Sequence, residues 1–216
     1  MNQEIVRRQQ QLAQLRRELQ QMAMAEDPEL WASIPHNDMV KRAIEVAAVQ
    51  HHSVAIFGRE MAERLSLAAA QLGVAAFAIK WCPCGNFGSL SSSCSCSVEV
   101  FEQYKAGADW QRMLGCDLIV EAIEHAPHGR TPKGEDIKVV QARVERARQT
   151  PVPPYVESDD MRAMMRLAVS ELNLDIFRVQ RIQQVSRSIA ALSGDKQVQV
   201  HALMEAIQYM SHPVIR

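Results

Sequence analysis

The sequence is poor in aromatic side chains, almost neutral, and free of long apolar runs. Aromatics make up 5% of the 216 residues, too few for a platform that stacks nucleic-acid bases. Lys and Arg number 24 against 25 Asp and Glu, a formal net charge of -1. That balance excludes a general attraction to polyanions. No apolar stretch approaches the roughly 20 residues needed to cross a bilayer. The N-terminus is rich in Gln and Arg and has no apolar core of the kind a secretory leader carries. A cytoplasmic protein with no membrane partner is expected.

What is present is a large apolar fraction, 47%, enough for one ordinary domain or two small ones. There are 5 Cys, four of them between positions 82 and 96. Clustering of that kind points to metal binding rather than disulfides in a reducing compartment.

Periodicity divides the chain. Residues 1–26 read as an N-terminal helix. Ile5, Leu12, Leu15, Leu19 and Met22 fall on a and d positions of a heptad, with Arg8 on one d position. The pattern fits a short coiled-coil seam or docking helix, and equally a helix packed on its own domain. Asp27 and Pro28 end it. A helix over 37–50 follows, then a short apolar strand from Ser53 to Phe57 closed by Gly58. Helical character returns over 60–72, and Val74 to Ile79 reads as a second buried strand. Strand, helix and strand at this spacing predict a parallel pair. Val98 to Lys105 reads as a short helix, and Cys116 to Glu121 as a third strand in which Cys116 is a buried apolar residue. The stretch from His125 to Gly134 is a turn-rich linker, and its His125-x-x-His128 pair reads as metal ligands or as a solvated turn. From Glu135 the pattern is helical throughout. Ser158, Asp159 and Asp160 mark one helix start and Gly194 one helix end. The Met161, Met164, Met165 stripe reads as core packing.

The cysteine block, Cys82-x-Cys84 and Cys94-x-Cys96, supplies four thiolates in a Gly/Ser-rich loop over residues 82–96. Zinc favours four tetrahedral sulfurs, and two C-x-C arms on a flexible loop can converge on one ion. Such a site is structural, because four protein ligands leave no open position for water. The alternative is four free thiols.

Three stretches together resemble one family. Val40 to Ala48, His52 and the strand ending at Gly58 resemble the segment leading into the P-loop of the ComM/YifB group of Mg-chelatase-like AAA+ ATPases. Cys82-Pro83-Cys84-Gly85-Asn86-Phe87-Gly88 with Cys94-Ser95-Cys96 resembles that group's CPCG…CxC insert. Gly134 through Arg143, Arg181 to Leu192 and His201 to Tyr209 resemble its C-terminal helical lid. The N-terminal helix lies outside the match. The resemblance implies an α/β fold: a reduced AAA+ (P-loop-like) parallel sheet core over 36–125, followed by an all-helical lid over 135–216.

The chemistry the resemblance would bring is missing from the matching positions. A P-loop needs two glycines, a Lys and a Ser or Thr, so that backbone N–H groups cradle phosphate and the hydroxyl holds Mg²⁺. Here Gly58 keeps the first place, Glu63 stands at the second glycine, Arg64 at the Lys and Leu65 at the hydroxyl. Gly58 and Arg64 are therefore the vestigial cofactor-binding positions. No magnesium-binding acid follows the second strand, which ends in Lys80-Trp81. Asp117 to Glu121 imitates one but aligns with a later strand and reads as sheet core. Gly115 stands at the arginine finger, with Arg112 displaced from it, and Phe177 at the lid arginine. Arg178 is adjacent to Phe177, but one residue rotates a helical side chain by about 100°.

The expected protein is thus a degenerate Mg-chelatase/ComM-like AAA+ protein with no catalytic residues. It would be zinc-stabilised through Cys82, Cys84, Cys94 and Cys96, would not use ATP, and would act through assembly with itself or with an intact AAA+ relative. Two other readings remain: an ATP-binding AAA+ subunit completed in trans and acting on DNA, and a passive DNA-binding module using arginines such as Arg7, Arg8, Arg16, Arg17, Arg143, Arg146, Arg148, Arg178, Arg181 and Arg187.

Overall fold

A computed structural model describes residues 3–87, 93–107, 110, 113, 115–124 and 134–210. Among these residues the chain is α/β and mostly helical, with one three-stranded parallel sheet and nine helices. The expected pair His125 and His128 and the displaced Arg112 lie outside the described residues, as do the side chains of Arg7 and Arg8. No described helix is long and apolar enough to cross a membrane.

The first helix, α1, spans Gln3–Glu26, and the one-turn helix α2 spans Leu30–Ser33. They are followed by α3 (Asp38–Gln50), β1 (Val54–Phe57), α4 (Glu60–Ala70) and β2 (Ala76–Ile79). Then come α5 (Val98–Lys105), β3 (Leu118–Glu121) and four C-terminal helices. These are α6 (Ile137–Gln149), α7 (Asp159–Leu172), α8 (Ile176–Ser193) and α9 (Val200–Met210).

The strand order is β2-β1-β3, with both pairings parallel. β1 is central and all four of its residues are fully buried, the continuous apolar run expected of a strand covered on both faces. Successive side chains point to opposite faces, and the core divides accordingly. Val54, Ile56, Leu118 and Val120 join the main core with α3, α4 and the C-terminal helices. Ala55, Phe57, Ile79 and Ile119 join a second core with Trp110, Met113 and Cys116. Four aromatics meet on that second face. Phe57 stacks on Trp81 with centroids 4.1 Å apart, and Trp110 meets both Phe57 and Tyr104 edge-on at 5.6 Å.

Two expectations are corrected. The strand expected from Val74 begins at Ala76, and between the buried Val74 and Ile79 it is open to solvent because β2 is the sheet edge: Phe77 is 40% exposed. Cys116 precedes β3 rather than lying in it, although it is buried as expected.

α3 lies between the sheet and the C-terminal helices. Ala43, Ala47 and Ala48 are fully buried, and such small side chains let α6 and α8 pack close while Val40, Ile44 and Val46 fill the space around them. Polar ties cross the same boundary. Arg143 grips Glu45 through two bonds, Nη2 to Oε1 at 2.9 Å and Nε to Oε2 at 3.0 Å, and also donates to Glu135. These carboxylates hold the Arg143 guanidinium above its usual range, Glu135 contributing most and Glu45 next. Arg42 pairs with Glu205 at 3.0 Å, and Arg148 donates twice to the Ala48 carbonyl. Three of the four helix starts in this part have a side-chain cap: Asp136 accepts from Lys138 N–H, Ser158 from Met161 N–H and Asp175 from Arg178 N–H.

Candidate functional site

The four clustered cysteines converge. The Cys82 sulfur lies 3.4 Å from that of Cys84 and 3.7 Å from that of Cys94, and Cys84 lies 3.7 Å from Cys94. All four sulfurs, Cys96 included, fall within 4.8 Å of one another. Sulfurs at the corners of a tetrahedron with metal–sulfur bonds of about 2.3 Å are about 3.8 Å apart, so the donor set fits one ion such as zinc. The separations are far beyond the about 2.05 Å of a disulfide, and all the cysteines are free.

The loop reaches this arrangement through local geometry. β2 delivers Cys82 into the interior, where it is fully buried, while Cys84 and Cys94 stay exposed. A turn closed by the Gly85 N–H on the Cys82 carbonyl at 2.9 Å brings Cys84 back beside Cys82. Gly85 has φ +77, the left-handed region that favours glycine. Backbone N–H groups of Asn86 and then Ser95 point at the Cys84 sulfur and, with Cys82, push its thiol down to about 6. That favours one thiolate, the form a metal takes, at Cys84, whereas desolvation and hydrogen bonds to neighbouring thiols push Cys94 and Cys96 up. Cys116 stands apart in the second core, and burial pushes its thiol up.

The strand-to-helix turn at Gly58 adjoins this loop. The Arg59 guanidinium donates to Asn86 Oδ1 at 3.2 Å, and the Arg59 stem lies against Gly85, where an added Cβ would meet Arg59 Cγ at 3.6 Å. The turn itself is short. α4 begins at Glu60, so residues 60–65 are helix and form no loop able to wrap a phosphate. Arg64 lies inside α4 and donates to Ser33 Oγ at 2.9 Å, directed at α2. Leu65 is fully buried, and Glu63 is exposed.

Two N–H groups at this turn are occupied by one carboxylate. Glu124 accepts from the Arg59 N–H through Oε1 and from the Met61 N–H at 3.2 Å through Oε2. Its carboxylate lies so close to Gly58, which has φ +147, that a Cβ there would overlap Oε1. Two contacts fix the segment carrying it. The Ala122 N–H donates to the Phe57 carbonyl at 2.8 Å. The Asn37 side chain accepts from the Ile123 N–H at 2.8 Å and donates back to the Ile123 carbonyl at 3.3 Å.

The remaining candidate positions have structural partners or none of the family's geometry. Asp117, read as sheet core, lies just before β3 and is half-buried; it accepts from the Ser53 N–H at 2.8 Å and the Ser53 hydroxyl at 2.9 Å. Gly115 is exposed. Phe177 is 69% exposed at the start of α8. Several arginines expected on a basic face are tied into the protein: Arg143 and Arg148 as above, and Arg181 to the Cys116 carbonyl and to Asp117 at 3.6 Å. Sequence patterns missed Glu124 and Asn37. The available signal was an acid just beyond a strand parallel to β1, the end of a sheet where ligands and helix N-termini meet.

Comparison with known families agrees with the helical part of this picture. Residues 154–210, which hold α7, α8 and α9, match the family described as magnesium chelatase, subunit ChlI C-terminal. The match covers about a quarter of the chain. No curated protein matches the chain.

Proposed function

We propose that this chain, Mg-chelatase-like in its C-terminal helices, is a non-hydrolysing assembly protein derived from the AAA+ ATPases. In this reading residues 36–125 are a reduced α/β core, residues 135–216 are the helical lid, and residues 1–26 are an added helix. Cys82, Cys84, Cys94 and Cys96 hold a structural zinc ion that folds the loop over 82–96. The partner is another copy or an intact AAA+ relative.

The observation that carries the reading is the Glu124 carboxylate on the Arg59 and Met61 N–H groups. Phosphate binding at a strand-to-helix turn relies on free N–H groups and the positive end of the helix. Here an internal anion takes both, and a buried Leu65 stands where a hydroxyl would hold Mg²⁺. Phosphoryl transfer depends on positioned charge, and Gly58 and Arg64 alone do not supply it. The ties between α3 and the C-terminal helices also support a fixed lid rather than one that swings with nucleotide.

Calorimetry with Mg-ATP and a turnover assay on the zinc-loaded protein test the nucleotide half. No binding heat and no turnover are expected. Turnover that disappears in Arg64→Ala would overturn it. Elemental analysis tests the metal half, with one zinc ion per chain expected.

A further inference from the structure

α1 carries an apolar seam that the rest of the described residues leave exposed. Leu12, Leu15, Leu19 and Met22 are 52%, 55%, 58% and 65% exposed. The helix rests on the body through a different face. Arg16, Gln20, Ala23 and Met24 are only partly exposed, Gln20 and the Arg16 carbonyl border Gly73, and Met24 packs on the main core. Along the seam lie Gln11, Gln14, Glu18 and Gln21, so four apolar side chains form one stripe on an otherwise polar surface. The heptad spacing of that stripe is the pattern by which two helices pair.

We propose that the seam docks on the same helix of a second copy, in antiparallel orientation. The positions 12, 15, 19 and 22 are separated by three, four and three residues, a spacing that reads the same in both directions. An antiparallel copy with position 12 opposite 22 and 15 opposite 19 pairs every apolar position with an apolar one. The same register sets position 8, an arginine, opposite Glu26, which is exposed at the end of α1. A parallel copy would set two arginines against each other at position 8. Both orientations pair apolar positions with apolar ones, so the charge at position 8 favours the antiparallel one, and its two-fold symmetry closes the assembly at two copies.

The pairing deepens the assembly half of the proposed function and rests on it, while owing nothing to the nucleotide half. A two-helix contact of this length buries on the order of 1,000 Å² in total, the size of a transient interface. A reversible monomer–dimer equilibrium is therefore expected.

Sedimentation equilibrium on the full zinc-loaded chain, from about 5 to about 200 µM, tests it. The wild type is expected to move from monomer to dimer across that range. Leu15→Glu with Leu19→Glu is expected to weaken the dimer at least about 10-fold, with the circular dichroism and melting temperature unchanged because both side chains point away from the body. Arg8→Glu or Glu26→Arg alone is expected to weaken the dimer, and the two together to restore it. A wild type monomeric throughout would overturn the proposal, and so would a charge swap that restores nothing. A dimer indifferent to the Leu15 and Leu19 changes would also overturn it while leaving the assembly reading standing on another surface. Turnover measured on the same samples bears on the nucleotide reading alone.

Discussion

His52 and Ser188 stand 136 residues apart in the chain and share a hydrogen bond of 2.9 Å between imidazole Nε2 and hydroxyl Oγ. Both residues are buried, one just before β1 and the other in α8. The bond ties the sheet to the C-terminal helices, and it gives those helices a dependence on pH.

Burial lowers the His52 pKa from its ordinary 6.5, with the Asp117 carboxylate opposing in part. The imidazole is therefore held neutral in the folded chain. Below about pH 6.5 the unfolded chain binds a proton there that the folded chain does not, so stability falls as pH drops. The melting temperature of the wild type should fall more steeply between about pH 7.5 and pH 5.5 than that of His52→Gln. Equal slopes would remove His52 as the cause. Loss of metal from the cysteines acts on both proteins and cancels in the comparison.

Arg143 is the sole guanidinium bonded to Glu45 among the described residues, and the Glu45 side chain is only 10% exposed. Arg143→Ala leaves that carboxylate buried without its partner. Urea unfolding should show a loss of about 2 kcal/mol. Adding Glu45→Gln should recover part of it, since the charge that needed a partner is gone. A double variant less stable than the single one would contradict this account.

Cys82 supplies the buried corner of the four-sulfur cluster. Cys82→Ser should abolish zinc in elemental analysis and lower the melting temperature by about 5 °C or more, because metal binding there is also folding energy. A chelator should do the same to the wild type. Cys116→Ala should leave the zinc content unchanged. Full stability in Cys82→Ser, together with a metal-free wild type, would assign the cluster to free thiols.

Glu124→Ala leaves the Arg59 and Met61 N–H groups without their acceptor. A loss of about 1–3 kcal/mol in urea unfolding is expected, and a smaller one in Glu124→Gln, which keeps an acceptor oxygen. Neither variant should gain ATP turnover, because Leu65 still offers no Mg²⁺ ligand. Turnover appearing in Glu124→Ala would mean that the carboxylate alone silences the site.

Most elements were legible because each carries its own periodicity and its own stop. Ser158, with two acids behind it, starts α7, and Gly194, with φ +75, ends α8. The cysteine block was legible because four identical ligands in one loop leave few other readings. What escaped depends on neighbours in space. Phe77 looked like a buried residue until the strand order put β2 at the edge. Glu124 looked like part of a linker, since only the parallel pairing of β1 with β3 brings it to the Arg59 N–H. The heptad in α1 was plain, but whether its seam faced inward depended on which side met α4.

Glu124 does more than fill a turn at one moment. It is tethered through β3 and clamped by Asn37, so its concentration beside the Arg59 and Met61 N–H groups is set by the fold and not by the solution. That effective concentration lies well above the millimolar level that short flexible linkers provide. A free phosphate would have to outcompete it at every encounter, so a higher concentration would be needed to occupy the turn. A lysine or threonine added nearby would leave this carboxylate in place on the two N–H groups.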